Sequence, residues 1–395
     1  MADTENNKNS NSPALRFPGF TDPWQRIRLG EISTFNKGVG ISKDQRSVCG
    51  NPCILYGELY TTYTSTNITE AISKTNLPED GLIKSVANDV IIPSSGETAE
   101  DIATARCVLK DDVFLGGDLN IIRLNNDNGS FLCYQLNGVR KREIAKLAQG
   151  VSVVHLYKES LKSLLVSIPS IEEQSKIADF LRLLDERIET QRRLIEDLEK
   201  LKSSIVDKMF YDVNGEVVKY RDLFEVSHQR NDNNKDYKIL SASQELGMVE
   251  RDSLDIDIKA ETKSLKAYKR VYSGDYVLHL RSFQGGLAFA ETEGICSPAY
   301  TILRPNDRLE YGYLKEYFNS SKFIKSLVIV TYGIRDGRSI NVDEFLEMPI
   351  TIHSKDKQAE IVKSLSILSD KLILEKKILY KYERQRTYLL NQLFI

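Results

Sequence analysis

The chain has 395 residues, of which 41% are hydrophobic and 28% charged, enough for two or three domains with buried cores. No apolar run approaches the roughly 20 residues of a membrane-spanning helix, and the polar first residues lack the apolar stretch of a secretory signal, so we expect a cytoplasmic protein. The net charge of −2 excludes a protein that is basic over its whole surface, so any contact with nucleic acid would depend on local basic faces.

The five cysteines are too few for a disulfide framework in a chain of this size, which fits a reducing compartment. One closely spaced pair is present, but no second pair follows that could complete a zinc site. We therefore expect free thiols at Cys49, Cys53, Cys107, Cys133 and Cys296.

In chain order the sequence divides into an N-terminal extension (1–23), a mixed segment (24–170), a long helix (171–211), a second mixed segment (216–353) and a second long helix (354–395). The mixed segments carry short strand-like runs such as DVIIPSS and DYVLHLRS, separated by turn-forming clusters of Gly, Asn, Asp and Ser. Residues 89–92 resemble 275–278, and residues 122–125 resemble 303–306. The sequence therefore predicts an α+β protein with two related domains built on small mixed sheets.

The two long helices repeat each other. LLVSIPSIEEQSKIADFL, which ends at Leu181, recurs as EMPITIHSKDKQAEIVKSL, which ends at Leu365, and matched residues stay 184 positions apart (365 − 181 = 184). In both helices apolar residues alternate at steps of four and three, the pattern of a coiled-coil seam. The main seam positions are Ile177, Leu181, Leu184, Ile188, Ile195, Leu198 and Ile205, and then Ile361, Leu365, Leu368, Leu372, Leu379 and Leu389.

Polar residues interrupt both seams at the same repeat positions: Gln191 matches Glu375, and Lys202 matches Arg386. Such residues fix register and partner choice at some cost in stability. We therefore predict that the helices form an antiparallel coiled coil that separates the two domains, with an internal pseudo-twofold repeat. The alternative is that both are ordinary amphipathic helices in globular cores.

A helix of about 38 residues is about 57 Å long, somewhat more than one turn of B-form DNA. A rigid helix pair with a domain at each end would suit a DNA target of two short blocks that flank an unread gap. Two unlike domains in one chain would let the two blocks differ in sequence.

The segments LRFPGFTDPWQRIRLGEI, IPSIEEQSKIADFLRLLDERI and RSFQGGLAFAETEGICSPAYTILRP resemble specificity (S) subunits of type I restriction-modification enzymes, and the resemblance extends over residues 14–395. That family's plan is a target-recognition domain followed by a Pro-x-x-x-Glu-Gln helix, both repeated. Pro169 and Glu173-Gln174 match this motif. The second copy departs from it, with His353 in place of the proline and Lys357-Gln358 in place of Glu-Gln.

The resemblance implies a non-catalytic chain that binds double-stranded DNA and recruits two methyltransferase (M) subunits and further restriction (R) subunits. The chain itself would need no cofactor, whereas S-adenosylmethionine, ATP and Mg²⁺ would belong to the partner subunits. The M subunits would flip the target adenine out of the duplex, because a methyl donor cannot reach the amino group inside the stack. We expect the exposed helix pair, with Phe210 and Phe394 beside it, to dock these partners.

The sequence carries no convincing catalytic motif. It has no G-x-x-x-x-G-K-[ST] loop of a translocating ATPase. The tetrapeptide at 297–300, SPAY, resembles the catalytic loop of adenine methyltransferases but lacks one of its two prolines. The histidines are scattered, at His155, His228, His279 and His353. Two alternatives to a DNA reader are a non-catalytic coiled-coil adaptor that binds protein or carbohydrate, and a stand-alone methyltransferase.

Readout of DNA needs basic or amide side chains at base edges, and glycine-bearing loops that let the backbone approach phosphates. The candidates in the first domain are Lys37, Gly38, Lys43, Arg46, Tyr56, Gly150 and Ser152. Those in the second domain are Arg281, Ser282, Gln284, Tyr332, Gly333, Arg335, Arg338 and Ser339. The basic loop of the first domain could instead be an ordinary solvated loop, and Arg335 or Arg338 could form a structural ion pair with Asp336.

Overall fold

The computed structural model describes residues 11–150, 152–211, 215–231, 237–243, 246–253, 262–279, 282–333 and 339–395. The chain forms two compact units. Unit 1 comprises Met1–Arg193 with Lys376–Ile395, and unit 2 comprises Leu194–Glu375. Each unit therefore combines one mixed domain with a part of both long helices.

Unit 1 is built from short strands and helices. Its strands are β1 (Gln25–Arg28), β2 (Ser33–Lys37), β3 (Arg46–Ser47), β4 (Asn51–Ile54), β5 (Asn67–Ile68), β6 (Ser73–Thr75), β7 (Ile83–Lys84), β8 (Asp89–Pro93), β9 (Ser95–Gly96), β10 (Arg106–Val108), β11 (Phe114–Leu115), β12 (Leu119–Leu124), β13 (Val154–His155) and β14 (Leu165–Ile168). Its helices are α1 (Glu58–Thr61), α2 (Ala99–Ile102), α3 (Gly129–Asn137), α4 (Lys141–Leu147), α5 (Lys158–Lys162) and the first part of α6 (Ile171–Tyr211).

Two five-stranded sheets organise unit 1, in the orders β2-β12-β8-β10-β5 and β3-β6-β4-β11-β7. The central strand β8 is buried along its whole length. Val90 and Ile92 join one hydrophobic core and Ile91 joins another, as expected from side chains that alternate between the two faces of a strand. An unbroken apolar run is therefore compatible with a strand here, because both faces of the sheet are covered.

The described residues of unit 2 also form short strands and helices. Its strands are β15 (Glu216–Lys219), β16 (Phe224–Ser227), β17 (Leu240–Ser243), β18 (Gly247–Glu250), β19 (Lys269–Val271), β20 (Tyr276–Leu278), β21 (Ala288–Phe289), β22 (Gly294–Cys296), β23 (Thr301–Pro305), β24 (Thr331–Tyr332), β25 (Ser339–Ile340) and β26 (Pro349–Ile352). Its helices are α7 (Ser282–Gly285), α8 (Ser321–Ser326), α9 (Val342–Glu347) and the first part of α10 (Lys355–Gln392). The largest sheet has the order β16-β23-β20-β21.

The core of unit 2 is rich in aromatic residues. Tyr220 stacks on Phe345 with ring centroids 4.6 Å apart, and Phe318 and Phe323 pack against the same tyrosine. Aromatic side chains bury large areas, so they can fill the space that short strands leave uncovered.

Both long helices are present, and the predicted α+β fold is confirmed. Helix α6 has 41 residues and α10 has 38. In each unit an antiparallel strand pair leads into one of them: β1 pairs with β14 ahead of α6, and β15 pairs with β26 ahead of α10. Neither helix contains Gly or Pro, so nothing in the sequence interrupts them.

All five cysteines are free thiols, as predicted. Cys49 is exposed and the other four are buried. Burial is the first cause of the raised pKa of the Cys53 thiol, which is about 11, and of the Cys296 thiol, which is about 12. These two buried thiols therefore stay protonated at neutral pH and behave as small packing residues.

Candidate nucleic-acid interface

The first basic loop of unit 1 follows β2. The side chain of Lys37 is 63% exposed, and its Nζ lies 4.0 Å from Asp118 Oδ1. Gly38 is buried, and a Cβ at this position would lie 2.0 Å from the carbonyl oxygen of Gly116. Only glycine therefore fits at 38, and the loop presents Lys37 to solvent from a tightly packed backbone.

Lys43 and Arg46 lie on a 3₁₀ turn and on the edge strand β3, and both are exposed. Arg46 donates from Nε to the carbonyl oxygen of Lys43 at 3.2 Å, and its Nη1 lies 3.8 Å from Glu58 Oε1. Lys74, a cation outside the basic glycine-bearing loops, is exposed on β6 opposite Ser47. A lysine that alternates with two buried residues, in the run SKT, is the signal that could have identified it.

A buried arginine holds the backbone of the threonine- and tyrosine-rich stretch that follows Tyr56. Tyr56 itself is half-buried against the core. Arg106, on β10, donates to the carbonyl oxygens of Leu59, Tyr63 and Ser65 at 2.9, 2.5 and 2.8 Å. Burial lowers the pKa of Arg106 to about 10, so the guanidinium remains charged at neutral pH. Nothing in the local sequence distinguishes this arginine, because its bonding partners lie about 40 residues away.

Gly150 and Ser152 are both exposed and precede β13 in the chain. Gly150 has a φ of +123°, and a Cβ there would lie 2.1 Å from the carbonyl oxygen of Val153. Glycine is therefore required at position 150. Two neighbours that are neither basic nor glycine are strongly exposed, namely Val153 at 52% and Tyr157 at 54%.

The two candidate loops of unit 2 are described only in part. Arg281 lies outside the described residues. Ser282 is fully buried, and its hydroxyl accepts a hydrogen bond from the backbone N–H of His279 at 2.8 Å, so the structure places it in the interior. Gln284 is exposed on α7.

The second of these loops joins β24 to β25. Arg335, Asp336 and Arg338 lie outside the described residues. Tyr332, Gly333 and Ser339 are exposed, and Tyr332 Oη donates to Glu344 Oε2 at 2.7 Å. Just before β24, an exposed apolar pair precedes the loop: Val328 and Ile329 are each 71% exposed.

The helix pair of unit 1 is antiparallel. Asp185 Oδ1 accepts from Arg386 Nε at 2.5 Å, and Arg192 Nη2 donates to Glu383 Oε1 at 2.6 Å, so rising numbers in α6 meet falling numbers in α10. Tyr134 of the mixed domain donates from Oη to the same Asp185 at 3.0 Å. The seam residues of this unit are all buried or half-buried: Ile177, Leu181, Leu184, Ile188, Leu379 and Leu389.

In unit 2 both long helices bind one carboxylate of the mixed domain. Lys202 Nζ lies 2.6 Å from Glu316 Oε2, and Ser369 donates to the other oxygen of that carboxylate at 3.1 Å. Lys202 and Arg386 occupy matched repeat positions, so the polar interruption of each seam binds a carboxylate. The remaining seam residues are also buried or half-buried: Ile195, Leu198, Ile205, Ile361, Leu365, Leu368 and Leu372.

Phe210 and Phe394 are not available as docking residues, and that prediction is wrong. Phe210 is 6% exposed in the core of unit 2, and Phe394 is 3% exposed in a core of unit 1 beside Trp24. Phe210 is the next-to-last residue of α6, Phe394 follows the end of α10, and both pack into domain cores. The apolar residues that the helices do expose include Leu183 at 58% and Ile367 at 62%, which lie 184 positions apart (367 − 183 = 184).

The described residues hold no group of three or more potential metal ligands. The tetrapeptide at 297–300 forms a turn before β23, and Tyr300 is half-buried behind it. None of the described helices combines the length and apolar character that crossing a bilayer requires.

The chain matches known proteins in sequence and in fold. The sequence profile described as "Type I restriction modification DNA specificity domain" matches residues 21–200. The type I restriction-modification S subunit from M. genitalium has a similar fold, with a TM-score of 0.62 and 16% sequence identity over 97% of this chain and 99% of that chain. A structure described as the basis of complex assembly and conformational transition of the type I R-M system matches with a TM-score of 0.55 and 17% identity, over 96% of this chain and 99% of that one.

At such identities the two structures establish a shared fold, and the sequence profile identifies a domain in residues 21–200. This part of the chain therefore matches the type I restriction-modification DNA specificity domain, and nearly the whole chain shares the fold of a type I restriction-modification S subunit.

Proposed function

We propose that this chain selects the DNA site of a type I restriction-modification complex by reading two short blocks that flank an unread gap. The match of residues 21–200 to a DNA specificity domain is the observation that carries this proposal. Unit 2 contains a second mixed domain, in which Asp275 and Arg304 repeat the ion pair of Asp89 and Arg123, and this supports a second reading surface. The two domains differ in sequence, so the two blocks would differ as well.

In this proposal the loops that carry exposed cations contact DNA. Lys37, Lys43 and Arg46 of unit 1 are exposed beside sheets that hold their backbones in place. Their charge would bind phosphates, and base-edge contacts from the same loops would give specificity. In unit 2 the corresponding contacts would come from the segments around Gln284 and Tyr332.

We assign no catalytic step to this chain. M subunits would bring S-adenosylmethionine and R subunits would bring ATP and Mg²⁺, in a cytoplasmic complex. The exposed Leu183 and Ile367 support the recruitment of two like partners, because they occupy matched positions of the repeat. An apolar side chain exposed at the same place in both copies gives two equivalent partners equivalent contacts.

The helix pair would act as a spacer of fixed length. The long uninterrupted helices α6 and α10, the buried seam of each unit and the carboxylates bound by Arg386 and Lys202 support this role. A stiff spacer keeps the unread gap constant, whereas a flexible linker would accept several gap lengths.

Salt-dependent DNA binding tests the proposal against the adaptor alternative. The complex of this chain with its M subunits should bind duplex DNA with an affinity that falls linearly in a plot of log affinity against log salt. An adaptor for protein or carbohydrate would not bind duplex DNA with this dependence of affinity on salt. A complex that does not bind duplex DNA at low salt would exclude the proposed function.

A further inference from the structure

A buried glutamine at the start of α6 joins the mixed domain of unit 1 to the helix. Gln174 is 1% exposed. Its Nε2 donates to Pro169 O at 2.9 Å and to Asp127 Oδ1 at 2.8 Å. Its Oε1 accepts from the backbone N–H of Asn128 at 2.9 Å. One amide therefore holds the segment that enters the helix and a loop of the domain 46 residues earlier in the chain.

A matching glutamine makes the same set of hydrogen bonds in unit 2, and we call this set the glutamine joint. Gln358 is also 1% exposed. Its Nε2 donates to His353 O at 2.9 Å and to Arg308 O at 3.0 Å, and its Oε1 accepts from the backbone N–H of Glu310 at 2.8 Å. The joint is kept although His353 replaces proline and Lys357 replaces glutamate beside it. The glutamine is thus the part of the motif that both copies retain.

These bonds exceed what a local helix cap requires. A cap at a helix N-terminus satisfies free backbone N–H groups, whereas the bonds to Pro169 O and His353 O are donated to carbonyl oxygens. The bonds to residues 127 and 128, and to 308 and 310, reach into the domain instead. In unit 1 they reach Asn128, the residue that caps α3 by accepting from Phe131 N. Helix α3 in turn packs Phe131 and Tyr134 into the core that holds Ile177.

Glutamine suits this position for a chemical reason. The joint needs two donated hydrogen bonds and one accepted bond from a single neutral group in a buried site, which only an amide of this length supplies. Glutamate would keep the acceptor, lose both donors and place a charge in the interior. Methionine would fill a similar volume and make none of the bonds.

We propose that Gln174 and Gln358 are positioning residues that fix the orientation of each target-recognition domain on its helices, and that this orientation makes the complex selective for one gap length. The inference rests on the proposed function of a two-block DNA reader. Each glutamine acts within its own unit, so either one alone should matter. Base preference inside each block would depend on the loops and not on these residues.

The test uses the complex of this chain with its M subunits. The recognition site is first mapped for the wild-type complex from the adenines that it methylates. Duplexes with the same two blocks and a gap of the native length, one base pair shorter or one base pair longer are then offered in competition. Gln174→Met, Gln358→Met and the two corresponding Ala variants are compared with Glu172→Ala and Asp356→Ala. These two controls alter exposed acids of the same first turns and lie 184 positions apart.

We expect each glutamine variant to lower the ratio of native-gap to altered-gap methylation by about tenfold, with base preference inside the blocks unchanged. The controls should keep the wild-type ratio. A uniform loss of methylation with an unchanged gap ratio would show a merely structural role and overturn the proposal, as would Met variants that keep the wild-type ratio. If the wild-type complex methylates no two-block site, the proposed function itself fails, which is a separate result.

Discussion

The carboxylate of Asp89 accepts two hydrogen bonds from Arg123, at 2.8 and 2.7 Å, across the neighbouring strands β8 and β12. Asp275 and Arg304 form the same bidentate pair in unit 2, with both bonds at 3.0 Å. Each aspartate also accepts from the backbone N–H three residues before it. Both domains therefore contain the same bidentate Asp–Arg ion pair, although their sequences have diverged.

Removal of either arginine should destabilise the unit that contains it. Arg123→Ala leaves the carboxylate of Asp89, 1% exposed, without its charged partner, and Arg304→Ala does the same to Asp275. We expect each change to lower the free energy of unfolding by about 1–3 kcal/mol, measured in urea. Replacement of both partners by leucine should recover part of the loss, because no buried charge remains. A loss below about 0.5 kcal/mol in both units would contradict a structural role for the pair.

Matched truncations test the two helix seams. Ile177→Ala and Ile361→Ala remove residues that are each 1% exposed at the same repeat position, and each should cost about 2–5 kcal/mol in the free energy of unfolding. Leu183→Ala and Ile367→Ala are the controls, and they should change stability by less than about 0.5 kcal/mol because both side chains are exposed. Equal losses at the seam and control positions would mean that the seam is not the packed face.

The exposed pair at Leu183 and Ile367 should matter for partner binding. Leu183→Glu with Ile367→Glu places two charges on the proposed docking surface while leaving the seam intact. We expect co-purification of M subunits to fall by about tenfold or more, since a charge buried in an apolar contact is costly. Thermal unfolding of the isolated chain should be unchanged. Normal recovery of M subunits would exclude this surface.

Alanine variants of the basic loops should distinguish phosphate contacts from base contacts. Lys43→Ala with Arg46→Ala should reduce the salt slope of binding by about one for each phosphate that the variant no longer neutralises, and Lys200→Ala on α6 serves as the control. Arg335→Ala with Arg338→Ala should cost about 1–3 kcal/mol for each bidentate base contact and relax only one block. Quantitative binding to a duplex library at several salt concentrations distinguishes these results. If the variant with Arg335→Ala and Arg338→Ala loses the same affinity for every sequence, those arginines contact phosphates and not bases.

His353 should make the stability of unit 2 depend on pH. Burial, followed by the charge of Lys357, lowers the pKa of His353 from its ordinary value of 6.5. The folded state therefore favours the neutral ring, whose Nδ1 lies 2.6 Å from Tyr313 Oη. This stability is present above pH 6.5 and is lost as the pH falls from there through the lower pKa of the folded state. Unfolding of His353→Phe should change less over this interval than that of wild type, and an identical pH slope would contradict the assignment.

Much of the helical architecture was accessible from the sequence. A constant separation of 184 positions, with apolar residues at steps of four and three, predicted both long helices and seams whose residues are buried or half-buried. Matched polar positions pointed to Lys202 and Arg386, but only the structure showed that they bind Glu316 and Asp185. Periodicity reports which face of a helix is buried, and it does not identify the partner.

The loops were much less accessible. The sequence suggests a surface position for Ser282, which follows an arginine in a glycine-bearing segment. Ser282 is nevertheless fully buried, and its hydroxyl accepts a hydrogen bond from the backbone N–H of His279. Phe210 and Phe394 end amphipathic helices and are therefore expected at the surface, but each enters a domain core. Arg106 has no local signal because its three carbonyl partners are set by tertiary folding. Such assignments depend on long-range contacts that a local pattern does not contain.

Mapping of methylated adenines across the genome tests the central claim most directly, in cells that carry the partner subunits with and without this gene. We predict that the gene adds methylation at one class of site, with two short blocks of unlike sequence at a single fixed spacing. A single continuous block, or blocks at variable spacing, would contradict an account in which two unlike domains of one chain read DNA on either side of a fixed gap.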